Sequence, residues 1–137
     1  MQSLVLQLVL HPEIQTRAQE ELDSVIGSPN SSNFRLPSFD DRPQLPYIEA
    51  LCKEILRWRP PAATGFPRAS MADDIYRQWR IKKETIIVPN AWGMLRDEEI
   101  YKDPETFRPE RFLGTSPEPD PALNGAFGFG RRYAIGS

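Results

Sequence analysis

The sequence has few residues that could build a disulfide framework or a metal site. Its 137 residues include one cysteine, Cys52, and one histidine, His11. A single cysteine excludes an internal disulfide, and this pair cannot supply the four ligands of a structural zinc site. We therefore expect an intracellular protein without a zinc centre.

The chain also lacks a long apolar run and an excess of one charge. Its longest apolar stretch, residues 1–10, contains Gln2 and Gln7 and is about half a membrane span long. No basic region precedes it and no small-residue cleavage site follows, so neither an anchor nor a signal peptide is expected. With 17 basic and 19 acidic side chains the formal charge is -2, which gives no broad cationic field for nucleic acid or anionic lipid.

Proline, by contrast, is abundant, and it divides the chain into short elements. The 14 prolines are roughly twice the average usage, so much of the chain should be ordered without regular structure. Helical spacing of apolar residues predicts helices over 3–10, 12–27 and 46–58. Pro12 suits the first turn of the second helix, and Pro60 ends the third.

The second half of the chain has the pattern of short strands and irregular chain. The runs IYRQWRI and IIVP, separated by KKET, predict a small hairpin over residues 75–89. Prolines at 104, 109, 117, 119 and 121 predict a meander over 103–125. The expected fold class is mainly α with a small antiparallel β element.

Two residues in EILR, Glu54 and Arg57, are spaced i and i+3 on the third helix. Such a pair commonly lies on a helix surface and contributes a few tenths of a kcal/mol. The alternative involves FRPERF, which delivers Arg111 on a proline-bounded segment. A guanidinium can grip a carboxylate with two hydrogen bonds. Glu54 held between both arginines would pin the meander to the helix, which is a structural role.

The glycine-rich FGFGRR segment first suggests a phosphate-binding loop. A dinucleotide fingerprint would need glycine at position 133, where Tyr133 stands, and no Lys followed by Ser or Thr supports a nucleotide triphosphate loop. A plain glycine-rich turn remains open.

Four separated segments together resemble the C-terminal part of the cytochromes P450, the haem-thiolate monooxygenases, especially the eukaryotic microsomal members. They are HPEIQTRAQEELDSVIG, LPYIEALCKEILRWRP, DPETFRPERF and AFGFGRR, in that order. The resemblance implies that residues 1–137 are the haem-side part of a larger domain, with the haem loop over 126–137. It implies a buried triad of Glu54, Arg57 and Arg111, and haem contacts from Phe127, Gly130, Arg132 and Gly136.

The family's metal ligand is absent from its place in the motif. The family pattern has a cysteine two residues after the second arginine and two before a glycine, and here that residue is Ala134. The cysteine thiolate donates electron density to the iron so that the O–O bond can cleave, which a methyl group cannot do. Cys52 is expected to be a buried small hydrophobe on the third helix, and His11 is not expected to face the loop.

Two further departures concern the residues around the hairpin. Where the family commonly has His and Arg, an ungapped match gives Arg68 and Ala69, so Arg68 reaches a haem propionate only if the chain slips by one residue. Glycines common in the hairpin turns are replaced by Gln78 and Glu84. A non-glycine residue held at positive φ costs roughly 1 kcal/mol, so these turns are expected to be strained or rebuilt.

The resemblance implies descent from an endoplasmic-reticulum enzyme that uses haem, O₂ and electrons from a reductase to oxygenate an apolar small molecule. We expect this fragment to be inactive, because Ala134 removes the ligand and the family's oxygen-handling motif would precede Met1. No nucleic-acid partner and no membrane span are expected. Two alternatives remain open: a non-catalytic scaffold or binding remnant, and a truncated gene model in which YAIGS is unspliced intron.

Overall fold

A computed structural model describes residues 2–128. Its helices are α1 (Gln2–Leu10), α2 (Pro12–Ile26), α3 (Pro46–Trp58) and α4 (Ala91–Met94). Tighter or wider helical turns cover Phe39–Gln44, Pro109–Phe112 and Ala122–Ala126. The strands are β1 (Arg68–Ala69), β2 (Asp74–Tyr76), β3 (Trp79–Ile81) and β4 (Ile86–Ile87). The chain is thus mainly α with a small antiparallel β part.

Proline and glycine set the ends of the first two helices. His11 leaves the helical region at φ -130° and separates α1 from α2, and Pro12 then occupies the first turn, where its missing N–H costs nothing. Gly27 lies outside α2 at φ 81°, a value that glycine adopts without strain. The predicted range 12–27 was therefore one residue too long, whereas α3 has the same ends as its prediction.

The strands pair differently from the single hairpin predicted over 75–89. β2 pairs with β3, with Tyr76 opposite Trp79, so IYRQWRI alone forms a complete hairpin. β4 pairs instead with β1, with Arg68 opposite Ile87. The prediction was wrong because Arg77 and Gln78 carry no glycine or asparagine turn signal. Position 77 nevertheless has the left-handed backbone, at φ 55°.

The positive φ angles lie partly where the sequence predicted them. Glu84 has φ 67°, as expected for a residue in place of a turn glycine. In the other turn the left-handed residue is Arg77 and not Gln78, which corrects the prediction by one position. Each of these two residues bears the steric cost of its Cβ, about 1–2 kcal/mol.

The core consists of two clusters, one of which includes α3. One cluster joins α2, α3 and the meander through Ile14, Ala18, Tyr47, Leu51 and Phe107. A second cluster contains Leu95, Tyr101 and Ala126, with Phe112 packed against it. In the first cluster, segments far apart in sequence bury apolar side chains against α3, and Arg57 of α3 donates a hydrogen bond to the carbonyl of Leu95 in the second. Within residues 2–128, no helix is long and apolar enough to span a membrane.

Candidate functional site: a buried ion triad and an adjoining apolar cavity

Helix α3 carries a charged pair on its inward face. Ala50 and Leu51 place that side of the helix in the core, and Glu54 and Arg57 follow at helical spacing. Both charged side chains are 0% exposed, so this is not the surface pair that the motif alone would suggest. A buried charge needs a partner and full hydrogen bonding.

Glu54 receives four hydrogen-bond donors from three residues. Arg57 donates from Nε to Glu54 Oε2 at 2.7 Å and from Nη2 to Oε1 at 2.9 Å. Arg111 places its Nε 3.1 Å from Oε2 and 3.2 Å from Oε1. The backbone N–H of Arg108 donates to Oε1 at 2.8 Å. The structure thus brings Glu54, Arg57 and Arg111 together, as the sequence interpretation required.

Arg111 connects separate parts of the meander to one another and also connects the meander to α3. Its Nη1 donates to Glu118 Oε2 at 2.7 Å, and a second acceptor for the same nitrogen is the carbonyl of Lys102. Its Nη2 donates to the carbonyls of Asp103 and Thr106. The meander is therefore folded around one guanidinium. The Glu118 carboxylate compensates the positive charge of Arg111. The sequence did not predict this contact, because a proline-rich segment without regular structure has no repeating pattern of residues.

A further arginine, Arg96, contacts the carboxyl end of α3. Its Nη2 donates to the carbonyl of Trp58 at 2.7 Å, and its guanidinium carbon lies 3.4 Å from the ring centroid of Trp92. A cation at this end complements the helix dipole. Burial lowers the pKa of Arg96, and Glu105 opposes this by pairing with Nε at 2.9 Å. No periodic pattern in the sequence predicts this contact.

An apolar cavity of about 310 Å³ is lined in part by Ala126 of the second core cluster. Phe127 and Gly128 form part of one wall, and Phe66, Ile87 and Pro89 lie in the others. Arg68, at the start of β1, also lines the cavity. The cavity therefore combines an apolar lining with one cationic side chain.

The sequence-predicted haem contacts are only partly within the described residues. Phe127 lies in the cavity wall and is partly buried. Gly130, Arg132, Ala134 and Gly136 lie outside residues 2–128.

Neither Cys52 nor His11 lines this cavity. Cys52 was predicted to be buried but is exposed, because the side of α3 that carries it faces a separate open groove of about 570 Å³. Partial desolvation raises the pKa of the Cys52 thiol. His11 stacks on Phe107 with ring centroids 6.1 Å apart, and its Nδ1 lies 3.2 Å from Glu13 Oε1.

Among the described residues, the lining of this cavity is apolar with one arginine and includes no side chain that binds iron. Its residues offer neither thiolate nor imidazole, the side chains that commonly bind haem iron. Among residues 2–128, no group of three or more histidine, cysteine, aspartate or glutamate side chains could hold a metal ion.

Comparison with known proteins decides the family. A family model described as cytochrome P450 matches residues 1–137. The chain belongs to the cytochrome P450 family. Its P450 relatives include the monooxygenase claR of Ampulloclitocybe clavipes, 46% identical over 99% of this chain. Another is the monooxygenase ple1 of Rhodocybe pseudopiperita, 44% identical over 96% of the chain.

Solved P450 structures share the architecture. A zebra fish cytochrome P450 with abiraterone superposes with a TM-score of 0.82 and 34% identity over 97% of this chain. A zebra fish cytochrome P450 structure with progesterone gives a TM-score of 0.83 and 33% identity. This chain covers 30% and 29% of those two chains and 25% of claR and ple1. It therefore spans about a quarter of the length of these curated P450 relatives.

Proposed function

We propose that the chain is the haem-side part of a P450 monooxygenase lineage that retains the structural frame but lacks the cysteine that would bind the haem iron. The observation that carries this proposal is Ala134, which occupies the ligand position in FGFGRRYAIG. An alanine methyl group has no lone pair to donate, so this loop supplies no bond to iron. The residues present do not fit the complete cofactor.

The parent activity belongs to the whole protein of this lineage. It inserts one oxygen atom from O₂ into an apolar small molecule with electrons from a reductase, at the endoplasmic reticulum. Its haem supplies oxygen activation when it is bound through a thiolate. Without that thiolate we propose that this chain is catalytically incompetent.

The proposed role of the triad is to hold the meander and the haem-side cavity in place. Glu54 and Arg57 are fixed on α3, and Arg111 reaches them from the segment that leads to Phe127. The triad lies outside the cavity lining. It is therefore proposed as positioning residues and not as catalytic residues. Phe127 would shield the proximal side, Arg132 would pair with a propionate, and Gly130 and Gly136 would permit the loop.

Carbon monoxide spectroscopy tests the missing ligand. The 137-residue chain is mixed with haemin, reduced and exposed to carbon monoxide, and its Soret band is recorded beside that of Ala134→Cys. We expect the red-shifted band of thiolate-ligated iron only in Ala134→Cys. The same band in the unaltered chain would overturn the proposal, and so would its absence from a folded Ala134→Cys variant, because sulfur would not then be the missing element.

A second candidate is a non-catalytic scaffold, which is supported by the hydrogen bonding of the triad. Each nitrogen of Arg111 has an acceptor among residues 2–128, and Glu54 is fully buried, so protein groups alone satisfy these side chains. A scaffold predicts a soluble monomer with a cooperative unfolding transition in the absence of haemin. Aggregation or a molten state without haemin would contradict it.

A further inference from the structure

Ser116 lies exposed in the proline-rich meander, directly before Pro117. Residues 113–120 belong to no helix or strand, and the residue before a proline is restricted to extended backbone. An exposed serine followed by proline on irregular chain is the acceptor pattern of the proline-directed class of protein kinases, which bind such segments in extended form. Ser116 therefore meets both the sequence requirement and the accessibility requirement of a phosphate acceptor.

The Ser116 residue lines an open groove of about 550 Å³, the meander groove, whose other charged residues are mostly basic. The basic residues are Lys102, Arg108 and Arg111, and the acidic residues are Glu110 and Glu118. Three positive charges against two negative charges leave an excess of one positive charge in the lining. An added anionic group on the serine would therefore enter a surface of opposite charge.

Both carboxylates of the meander groove are already engaged by arginines. Glu110 Oε1 accepts a hydrogen bond from Arg17 Nη1 at 2.8 Å. Glu118 Oε2 accepts from Arg111 Nη1 at 2.7 Å, whereas Glu118 Oε1 lies 3.6 Å from Arg108 Nη2, which is too long for a hydrogen bond. The acidic residues thus leave the Arg108 guanidinium with only a weak partner.

Lys102 and Arg108 retain donors that an anion on Ser116 can use. Lys102 is exposed, and its ammonium group has no ion-pair partner among residues 2–128. The Arg108 side chain is 39% exposed, and its Nη2 lies 3.5 Å from the carbonyl oxygen of Lys102. A phosphate on serine carries about -1.5 to -2 charges near pH 7 and offers three strong acceptor oxygens. It would therefore supply both cations with the acceptor that they lack.

We propose that Ser116 is a phosphorylation site whose phosphate is held by Lys102 and Arg108. A protein kinase transfers the γ-phosphoryl group of ATP to Ser116 Oγ. The new O–P bond forms as the bond to the β-phosphate oxygen breaks, ADP leaves, and the hydroxyl proton is released. The charge of the groove then changes from one positive to about one negative. Charge-assisted hydrogen bonds connect Ser116 to the start of the meander.

The chain contains an internal control, because Ser28 is its only other serine followed by proline. Ser28 is partly buried. Its carbonyl accepts hydrogen bonds from the backbone N–H and from the hydroxyl of Ser31, both at 2.9 Å. These bonds close a tight turn that must open before a kinase can bind the segment in extended form. We therefore expect a proline-directed kinase to prefer Ser116.

Mass spectrometry of the 137-residue chain, treated with ATP and a proline-directed kinase, tests the site. The initial rate at Ser116 should exceed that at Ser28 at least about fivefold, since two hydrogen bonds close the Ser28 turn. Ser116→Ala should remove most of the incorporated phosphate, and Ser28→Ala should remove little. Absence of phosphate at Ser116, faster modification of Ser28, or unchanged incorporation in Ser116→Ala would overturn the proposal.

Phosphorus NMR titration of the phosphorylated chain tests the two cations. The second pKa of a serine phosphate is about 6, and two neighbouring cations should lower it by roughly half a unit or more. K102Q/R108Q should return this pKa to its ordinary value, whereas K82Q/K83Q, which removes two lysines that do not line the groove, should leave it lowered. A pKa at or above about 6 in the unaltered chain, or equal effects of the two double variants, would overturn the proposal.

A proteolytic digest keeps the test decisive if K102Q/R108Q does not fold. Complete digestion of the phosphorylated chain leaves the same phosphoserine in a short peptide, without the neighbouring cations of the folded meander. We expect the phosphate pKa to be lower in the folded chain than in the digest. Equal pKa values in the two samples would contradict a phosphate held by Lys102 and Arg108.

Discussion

Replacement of Glu54 by glutamine gives a direct measure of what the buried triad contributes. The side chain keeps its shape, but the two arginines lose their shared negative charge. Four donors converge on the Glu54 carboxylate, and a glutamine amide offers one acceptor oxygen and an NH₂ group that faces donors. Two guanidinium groups would then be left with one partly exposed carboxylate, that of Glu118.

The magnitude follows from the burial of the triad. Removal of one member of a buried ion pair typically costs about 3–5 kcal/mol, because the remaining charge is left without compensation. That is a large part of the roughly 5–15 kcal/mol by which folded domains are stable. With a urea m-value of about 1–3 kcal/mol/M, the midpoint should fall by at least about 1 M.

Urea denaturation followed by tryptophan fluorescence is the assay, and Glu105→Gln is the matched control. Glu105 also pairs with an arginine, but its side chain is 78% exposed, so its loss should cost at most about 1 kcal/mol. Equal midpoints for Glu54→Gln and Glu105→Gln would refute the reasoning. A midpoint for Glu54→Gln that coincides with that of the unaltered chain would do the same.

Three further predictions concern other parts of the frame. The pKa of Asp41 is held well below its usual range, chiefly by the hydrogen bond from Arg35 and then by the Ser38 N–H; the folded state therefore loses this stabilisation as pH falls below about 4, and Asp41→Asn should flatten the acid limb of the stability profile. Burial, followed by the charge of Glu110, raises the pKa of Tyr47 to about 12. Because the Tyr47 hydroxyl of the unfolded state loses its proton at lower pH, the free energy of unfolding should fall above about pH 10. In Tyr47→Phe it should fall less steeply. Glu84→Gly should raise thermal stability by up to about 1 kcal/mol, since the left-handed backbone at φ 67° no longer carries a Cβ, whereas Gln78→Gly should not; the opposite order would contradict the turn assignment.

The sequence was informative where a feature has a period or a paired chemistry. Helical spacing located α2 and α3, because an amphipathic helix repeats its apolar residues every three or four positions. Glu54 and Arg57 were recognised by their spacing, and Arg111 by the fit of a guanidinium to a carboxylate. The helices and the Glu54–Arg57 spacing follow from local geometry, whereas the buried triad with Arg111 was implied by the family resemblance.

The sequence did not predict contacts that depend on how distant segments of the chain fold against each other. Glu118 and the carbonyls around Arg111 come from a proline-rich segment whose course has no repeat. No glycine marks the hairpin turn at Arg77. The predicted hairpin over residues 75–89 therefore also included β4, which pairs with β1 and not with β3. The helical spacing predicted which side of α3 carries Cys52. It did not show that this side faces an open groove.

The most direct test of the central claim asks whether the one cysteine of this chain binds haem iron. The reduced carbon monoxide spectrum is recorded for the unaltered chain and for Cys52→Ala, since Cys52 is the sole cysteine. The account predicts the same spectrum for both, without the red-shifted Soret band of a thiolate ligand. A red-shifted band in the unaltered chain that disappears in Cys52→Ala would contradict it.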